Sequence, residues 1–173
     1  TLRENASTVR SGRWEFCINI AAQSLVADRF SDFVVAEVCK SSIPAGLLVF
    51  EISECDALEH QHALEFLGAR LRDVGCRIAL DNCRAGLTTF GPLHKWPVSC
   101  VKIDGSLIRN VGTSMRSESV VRAVTQLAAN MGIETVAERV ENATLCDKLA
   151  DIGMDYAQGF HFGQPEPLSR LFG

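Results

Sequence analysis

Six residues of this sequence fall where a catalytic rim would need them. Asn19, Glu51, Asp81, Lys102, Glu138 and Gln158 each lie near the carboxyl end of an apolar, strand-like run, and Asp104 follows Lys102 by two residues. Asn, Glu and Asp offer hard oxygen donors, which suit Mg²⁺ or Mn²⁺ better than zinc, a metal that favours His and Cys. A lysine among them would hold a water or a phosphate oxygen. This is the composition of metal-assisted phosphoryl chemistry, in which a cation and an ammonium neutralise developing charge. The stretch "VKIDGSLI" (101–108) poses the question most sharply. Strand alternation puts Lys102 and Asp104 on one face and Ile103 on the other. The competing reading is a solvated rim with incidental ion pairs, and one such residue would not decide the matter. Six runs out of six supplying one is the argument for a site.

These residues need strands to carry them and a fold that gathers the strand ends. Apolar runs at 14–21, 46–53, 76–82, 99–104, 133–140 and 156–163 read as strands. Amphipathic stretches at 25–38, 54–74, 117–131 and 143–152 read as helices, the last two stopped by "MG" and "IG". Residues 83–98, with two Gly, two Pro and weak periodicity, read as a loop leading to a short helix. Strand–helix alternation of this kind means parallel β-α units, in an open doubly wound sheet or a barrel. No G-x-G-x-x-G follows the first strand, so the dinucleotide-binding open sheet loses support. A barrel gathers all strand ends at one rim, but a complete one needs about 250 residues. Six strands here fall short of that by roughly two β-α units.

Bulk composition narrows the classes. With 47% hydrophobic and 22% charged residues, the chain reads as one globular domain with a sizeable core. A formal net charge of -4 argues against non-specific binding to a nucleic acid polymer. The apolar runs are too short to span a bilayer, so no membrane contact is expected. Seven cysteines, an odd count without a C-x-x-C pair, fit neither a disulfide framework nor a zinc knuckle and indicate a reduced, cytoplasmic protein. The absence of an initiator Met or a leader reads as a fragment.

Other candidates have plainer explanations. His60 and His62 stand two apart on a helix and do not share a face, so they read as solvated residues. Trp96 reads as packing and only secondarily as a base-stacking surface. His161 alternates with Phe160 and Phe162 in the last strand, with a ligand role as its lesser reading, and 164–167 reads as a strand exit.

The runs also resemble a known family, the EAL domain of bacterial cyclic di-GMP signalling, over nearly the whole chain. "CINIAAQSL" (17–25) resembles the family's V-N-L-S-x-x-x-L strand, and "LVFEISE" (48–54) its L-E-I-T-E. "IALDNCRAG" (78–86) resembles I-A-L-D-D-F-G-x-G, and "HKWPVSCVKID" (94–104) resembles L-x-x-L-P-V-D-x-x-K-I-D. "IETVAERVEN" (133–142) resembles V-x-x-V-A-E-G-V-E-T, and "GMDYAQGFHFGQPEP" (153–167) resembles G-x-D-x-x-Q-G-Y-x-x-x-x-P-x-P. All six come in the family's order. The resemblance implies a single domain over 1–173, the C-terminal three-quarters of a TIM-barrel-like (β/α)8 α/β fold. About six strands would be present and the first two β-α units missing.

It also implies roles. Asn19, Glu51 and Asp81 match metal ligands. Lys102 matches the lysine that contacts the attacking water, and Glu138 a further carboxylate at the metal. Gln158 matches a glutamine lining the site. Asp104 is expected either to pair with Lys102 or to contact metal-bound water at the substrate. Glu141 matches a glutamate that helps hold the loop after the family's fifth strand. The implied reaction is hydrolysis of one phosphodiester of cyclic di-GMP to linear pGpG, with Mg²⁺ or Mn²⁺. The region after the Q-G strand, which includes 164–167, is one that in the family helps receive the guanine base.

The sequence departs from the family at several points. The E-A-L motif, with one metal-ligating glutamate, is not in it. Asn82 stands where a carboxylate helps bind a second metal, Cys83 and Arg84 where the family has Phe and Gly, Arg139 where it has Gly, and Ala21 where it has Ser. These departures lead to the expectation of weak or absent hydrolysis, with a metal-free cyclic di-GMP sensor or a protein-interaction module as alternatives. Arg84 and Arg139 would suit a metal-free, phosphate-contacting site. Expected partners are cyclic di-GMP, a second copy, and a GGDEF or sensor domain.

Overall fold

The structure, a computed structural model, describes residues 14–84, 91–167 and Arg170. Six parallel strands form one sheet in sequence order: β1 (Phe16–Asn19), β2 (Leu48–Ser53), β3 (Arg77–Cys83), β4 (Cys100–Ile103), β5 (Glu134–Ala137) and β6 (Tyr156–Ala157). The helices between them are α1 (Ala22–Leu25), α2 (Phe30–Lys40), α3 (Glu54–Glu59), α4 (Gln61–Asp73), α5 (Gly105–Ile108), α6 (Met115–Asn130) and α7 (Ala143–Ile152). Sequential parallel order with helical crossovers gives a half-barrel whose edges are β1 and β6, as the resemblance implies.

Alternation along the strands builds two layers. One face packs under the helices: Phe50, Ile52, Ile78, Leu80 and Val101 meet Leu64, Leu67 and Leu71 of α4. A second cluster joins Ile103 and Ala137 to Val121 and Val124 of α6 and to Leu145 and Leu149 of α7. The opposite, concave face carries a smaller apolar layer of Val49, Ala79 and Cys100, with Val136 against it. Both faces of β2 are therefore covered, which is why five of its six residues are buried. Below that layer, toward the amino ends of the strands, Arg77 pairs with Glu15 and Glu134, and Tyr156 bonds Glu134.

Helix ends follow local chemistry. Ser53, Ser114 and Asn142 accept backbone N–H bonds at the starts of α3, α6 and α7. Gly153 closes α7 in the left-handed conformation, φ 93°, as the "IG" stop predicts.

Three elements differ from expectation. The helix expected over 25–38 is broken, because Arg29 takes φ 62° and re-aims the chain before α2. The helix expected over 54–74 is split at His60, whose φ of -121° and ψ of 43° interrupt the spiral. Hydrophobic periodicity records which face is apolar but not a change of axis, so both breaks were hidden. The last strand is only Tyr156–Ala157. Beyond it Gly159 turns the chain, with the Phe162 N–H donating to the Gly159 carbonyl. His161 therefore does not alternate on a strand. It lies in this turn, its ring edge-on to Phe162 at 5.0 Å.

Candidate active site

The rim residues are placed by strand register. Asn19 of β1 lies opposite Glu51 of β2, and Glu51 opposite Ala79 of β3. Lys102 of β4 lies opposite Val136 of β5, on the concave face, and Glu138 stands two residues beyond Val136. Between β3 and β4 the pairing jumps from Leu80↔Val101 to Cys83↔Ile103, so three steps on β3 match two on β4. That is a bulge of one residue at Asp81–Asn82, with Asn82 at φ 54°. Its effect is to leave Asp81 on the concave face with Ala79 while returning Cys83 to the core, where it is 1% exposed.

The result is a buried cluster around one ammonium. Lys102 Nζ donates to Glu51 Oε2 at 3.1 Å and lies 3.0 Å from Glu51 Oε1. Asp81 Oδ1 is 3.2 Å away and Glu138 Oε1 3.4 Å. Glu51 is 4% exposed and Lys102 7%. Burial pulls the Lys102 ammonium toward neutrality. The Glu51 hydrogen bond and the charges of Glu51, Asp81 and Glu138 outweigh it and hold the lysine above its ordinary value. Burial also holds Glu138 above the usual carboxylate range; Lys102 opposes this and Asp81 reinforces it. Beneath the cluster, burial pushes the Cys100 thiol up to about 12, so it stays protonated and offers no thiolate.

The remaining predicted residues sit around this centre. Asn19 is exposed at the open edge of the sheet. Asp104 is engaged as the cap of α5, its Oδ1 accepting the Ser106 N–H at 2.9 Å. Hydrogen bonding from the Ser106 side chain, and then from its backbone N–H, holds the Asp104 carboxyl below the usual range against burial, aided by the charges of Arg84 and Arg139. Gln158 lines three clefts, two of which hold residues of the cluster. One, of about 210 Å³, holds Glu51 and Lys102; the other, of about 450 Å³, holds Arg109, Glu138, Arg139, Glu141 and Phe160. Its backbone accepts the Val140 N–H and donates to Ala137, which ties the end of β6 to β5. A Cβ on Gly159 would lie 2.2 Å from the Val140 carbonyl oxygen, so the turn after Gln158 needs glycine.

Glu141 is exposed. The loop it is expected to hold runs through 85–90, outside the described residues. The carboxylate that reaches the start of that loop is Glu54: its Oε2 accepts the Arg84 N–H at 3.0 Å, and it is 7% exposed. Sequence reasoning missed Glu54. An acid in the first turn of a helix reads as a dipole partner, and only the approach of the β3 exit makes it a loop anchor. Arg139, at φ 57°, lays its stem on Gly105, whose Cβ position would be 2.5 Å from Arg139 Cδ.

A divalent cation fits the donor chemistry. Glu51 Oε1 and Asp81 Oδ1 are buried and accept no hydrogen bond among the described residues, although both face the ammonium. The carboxylates are spaced around Lys102 rather than around a metal point. Accordingly, among the described residues no group of three His, Cys, Asp or Glu is already closed to hold an ion. A cation would have to draw those oxygens from the lysine.

The EAL domain family model matches residues 2–165. Cyclic di-GMP phosphodiesterase PdeB of Shewanella oneidensis is 36% identical over 152 residues, 88% of this chain and 18% of that protein. Cyclic di-GMP phosphodiesterase PdeF of Escherichia coli is 32% identical over 167 residues, 96% of this chain and 22% of that protein. The chain thus spans about a fifth of the length of these curated relatives. Among solved structures, the EAL domain of Mycobacterium smegmatis DcpA matches with a TM-score of 0.86 at 28% identity, covering 98% of this chain and 79% of that one. The PaMucR phosphodiesterase in its c-di-GMP complex matches with a TM-score of 0.88 at 24% identity, over 98% of this chain and 69% of that one, a likeness of fold.

Proposed function

The chain belongs to the EAL domain family, and from that premise we propose that it binds cyclic di-GMP at the carboxyl ends of its strands and hydrolyses it slowly. The observation that carries this reading is the convergence of Glu51, Asp81 and Glu138 on Lys102 at one rim. Lys102, held charged, presents an ammonium to a phosphodiester oxygen or to the attacking water. Glu138, whose pKa burial raises and which stands beside Lys102, is the carboxylate that takes the water's proton. Water oxygen bonds to phosphorus as the bond to the sugar oxygen breaks, the proton taken by Glu138 passes to that sugar oxygen, and the linear dinucleotide pGpG leaves. Glu51 and Asp81 would hold Mg²⁺ or Mn²⁺, which when bound lowers the pKa of water and offsets phosphate charge. Asp104, as the cap of α5, and Gln158 flank the place where the ligand would lie.

Slow turnover is supported by Asn82. Its Nδ2 donates to Asp81 Oδ2 at 2.7 Å, so an amide occupies an oxygen that a hard cation would want. Losing one charged ligand of this kind costs on the order of 10²-fold in rate, about 2.7 kcal/mol. The second reading is a metal-free sensor, favoured by the cationic Arg109 and Arg139 in the cleft beside Glu138. Calorimetric titration of cyclic di-GMP with and without chelator, with pGpG followed by chromatography, tests both. Metal-dependent binding with slow pGpG formation supports the enzyme. Binding that survives chelation without pGpG supports the sensor, and no binding in either buffer removes both.

No helix among the described residues is long and apolar enough to cross a membrane. We place the domain in the cytoplasm, acting as a homodimer or beside a GGDEF or sensor domain. The greater length of its relatives leaves room for such neighbours.

A further inference from the structure

We infer that the cleft beside Glu138 is a subsite for a terminal phosphate, where Arg139 and Arg109 hold the 5′-phosphate of a linear guanine dinucleotide. This deepens the reading of the rim as the place where cyclic di-GMP is cut, and rests on it. The cleft, of about 450 Å³, shares Glu138 with the buried cluster, so it opens beside the bond that breaks. Arg109 and Arg139 both line it. Neither guanidinium makes a hydrogen bond or an ion pair among the described residues, although Glu138 and Glu141 line the same cleft. Their planar forks of donors are unspent, and such forks match phosphate oxygens in pairs.

Arg139 is held in place at a cost. Its backbone takes φ 57°, where a side chain is strained. Its stem lies across Gly105, the first residue of α5, and a Cβ there would stand 2.5 Å from Arg139 Cδ and 2.8 Å from Cγ. The glycine seat fixes the stem, so the guanidinium borders the cleft before any ligand arrives. Arg109 follows the last residue of α5, which gives this single turn a guanidinium at each end.

Hydrolysis changes the charge that must be held. A phosphodiester carries one negative charge, and the reaction converts it to a phosphomonoester of about -1.5 to -2 at pH 7. Three carboxylates, Glu51, Asp81 and Glu138, against Lys102 leave the cluster at a formal net of -2, which repels the added charge. In the cleft the two arginines balance Glu138 and Glu141. The new phosphate is therefore drawn from the cluster toward Arg139, next in the chain to Glu138, and the product leaves slowly.

Calorimetric titration of pGpG, of GpG lacking the terminal phosphate, and of cyclic di-GMP tests this, in Mg²⁺ buffer and again with chelator. Circular dichroism confirms the fold of each variant. The wild-type chain is expected to bind pGpG about tenfold more tightly than GpG in both buffers. Arg139→Asn keeps a residue that tolerates the left-handed backbone and should bring that ratio below about threefold. Gly105→Ala, whose methyl displaces the stem, should do the same with Arg139 still present. Equal affinity of the wild-type chain for pGpG and GpG, a preference seen only with Mg²⁺, or one kept by either folded variant overturns the inference. Cyclic di-GMP binding with no preference between the linear dinucleotides would remove this subsite and leave the functional reading. An Arg139-dependent preference without cyclic di-GMP binding would do the reverse, and no binding of any of the three removes both.

Discussion

Lys102→Met removes the single cation from a buried group of three carboxylates while keeping the length of the side chain. Lys102 Nζ lies 3.0 Å from Glu51, 3.2 Å from Asp81 and 3.4 Å from Glu138. At an effective dielectric of ~20, each unit pair at such a distance is worth roughly 5 kcal/mol before desolvation. Desolvation of the ammonium returns most of that, and orphaning a buried charge costs about 3–5 kcal/mol net. The variant should lose that amount of unfolding free energy at pH 7.5 in urea titration followed by circular dichroism. The sign of the pH dependence follows from linkage. Without the ammonium, the clustered carboxylates have folded pKa values above the unfolded value of about 4. The folded state then binds more protons than the unfolded, so stability is lost as pH rises through the folded values and recovered below them. Glu138 in the wild type already has this sign. The deficit of the variant should therefore shrink between pH 7.5 and pH 5. A deficit under ~1 kcal/mol at pH 7.5, or one equal at both pH values, would refute the claim that Lys102 is the counter-charge of this cluster.

Further outcomes follow from single contacts. Arg139→Gly removes a side chain from a residue at φ 57°, where a non-glycine residue costs roughly 1 kcal/mol, and should raise the urea midpoint; a lowered midpoint would mean that the stem on Gly105 outweighs the strain. Glu54→Ala leaves the Arg84 N–H without its acceptor and should cost about 1–3 kcal/mol of stability, with Glu54→Gln recovering part of it; equal loss in both variants would deny the hydrogen bond. Gly159→Ala would place a methyl 2.2 Å from the Val140 carbonyl oxygen. It should weaken cyclic di-GMP binding in calorimetry more than tenfold, or about 1.4 kcal/mol, and unchanged binding would show that the turn after Gln158 does not shape the site.

Much of this architecture was legible because β-α periodicity is local. Each strand run overlaps the strand observed, β3 alone reaching one residue past its run to Cys83, and 143–152 matches α7 residue for residue, since Asn142 and Gly153 mark its ends by their own conformational preferences. The breaks at Arg29 and His60 and the short β6 were not legible. They depend on where a neighbouring element forces the chain to turn, as Val140 does at Gly159.

The sequence by itself determined which residues stand near strand ends, and so which could meet at a rim: Asn19, Glu51, Asp81, Lys102, Glu138 and Gln158. Only the tertiary structure decided how they are used. Strict alternation would put Asp81 and Cys83 on one face, but the bulge at Asn82 separates them and sends the thiol to the core. Lys102 and Asp104, one face apart from Ile103 in the sequence, take different tasks: one centres the carboxylates and the other caps α5. Glu54 becomes an anchor because β3 ends beside it. Local patterns encode faces and ends. Hydrogen-bond partners and charge balance arise from chain segments brought together from far apart, where one residue's lone pair is spent by another 30 or 51 positions away.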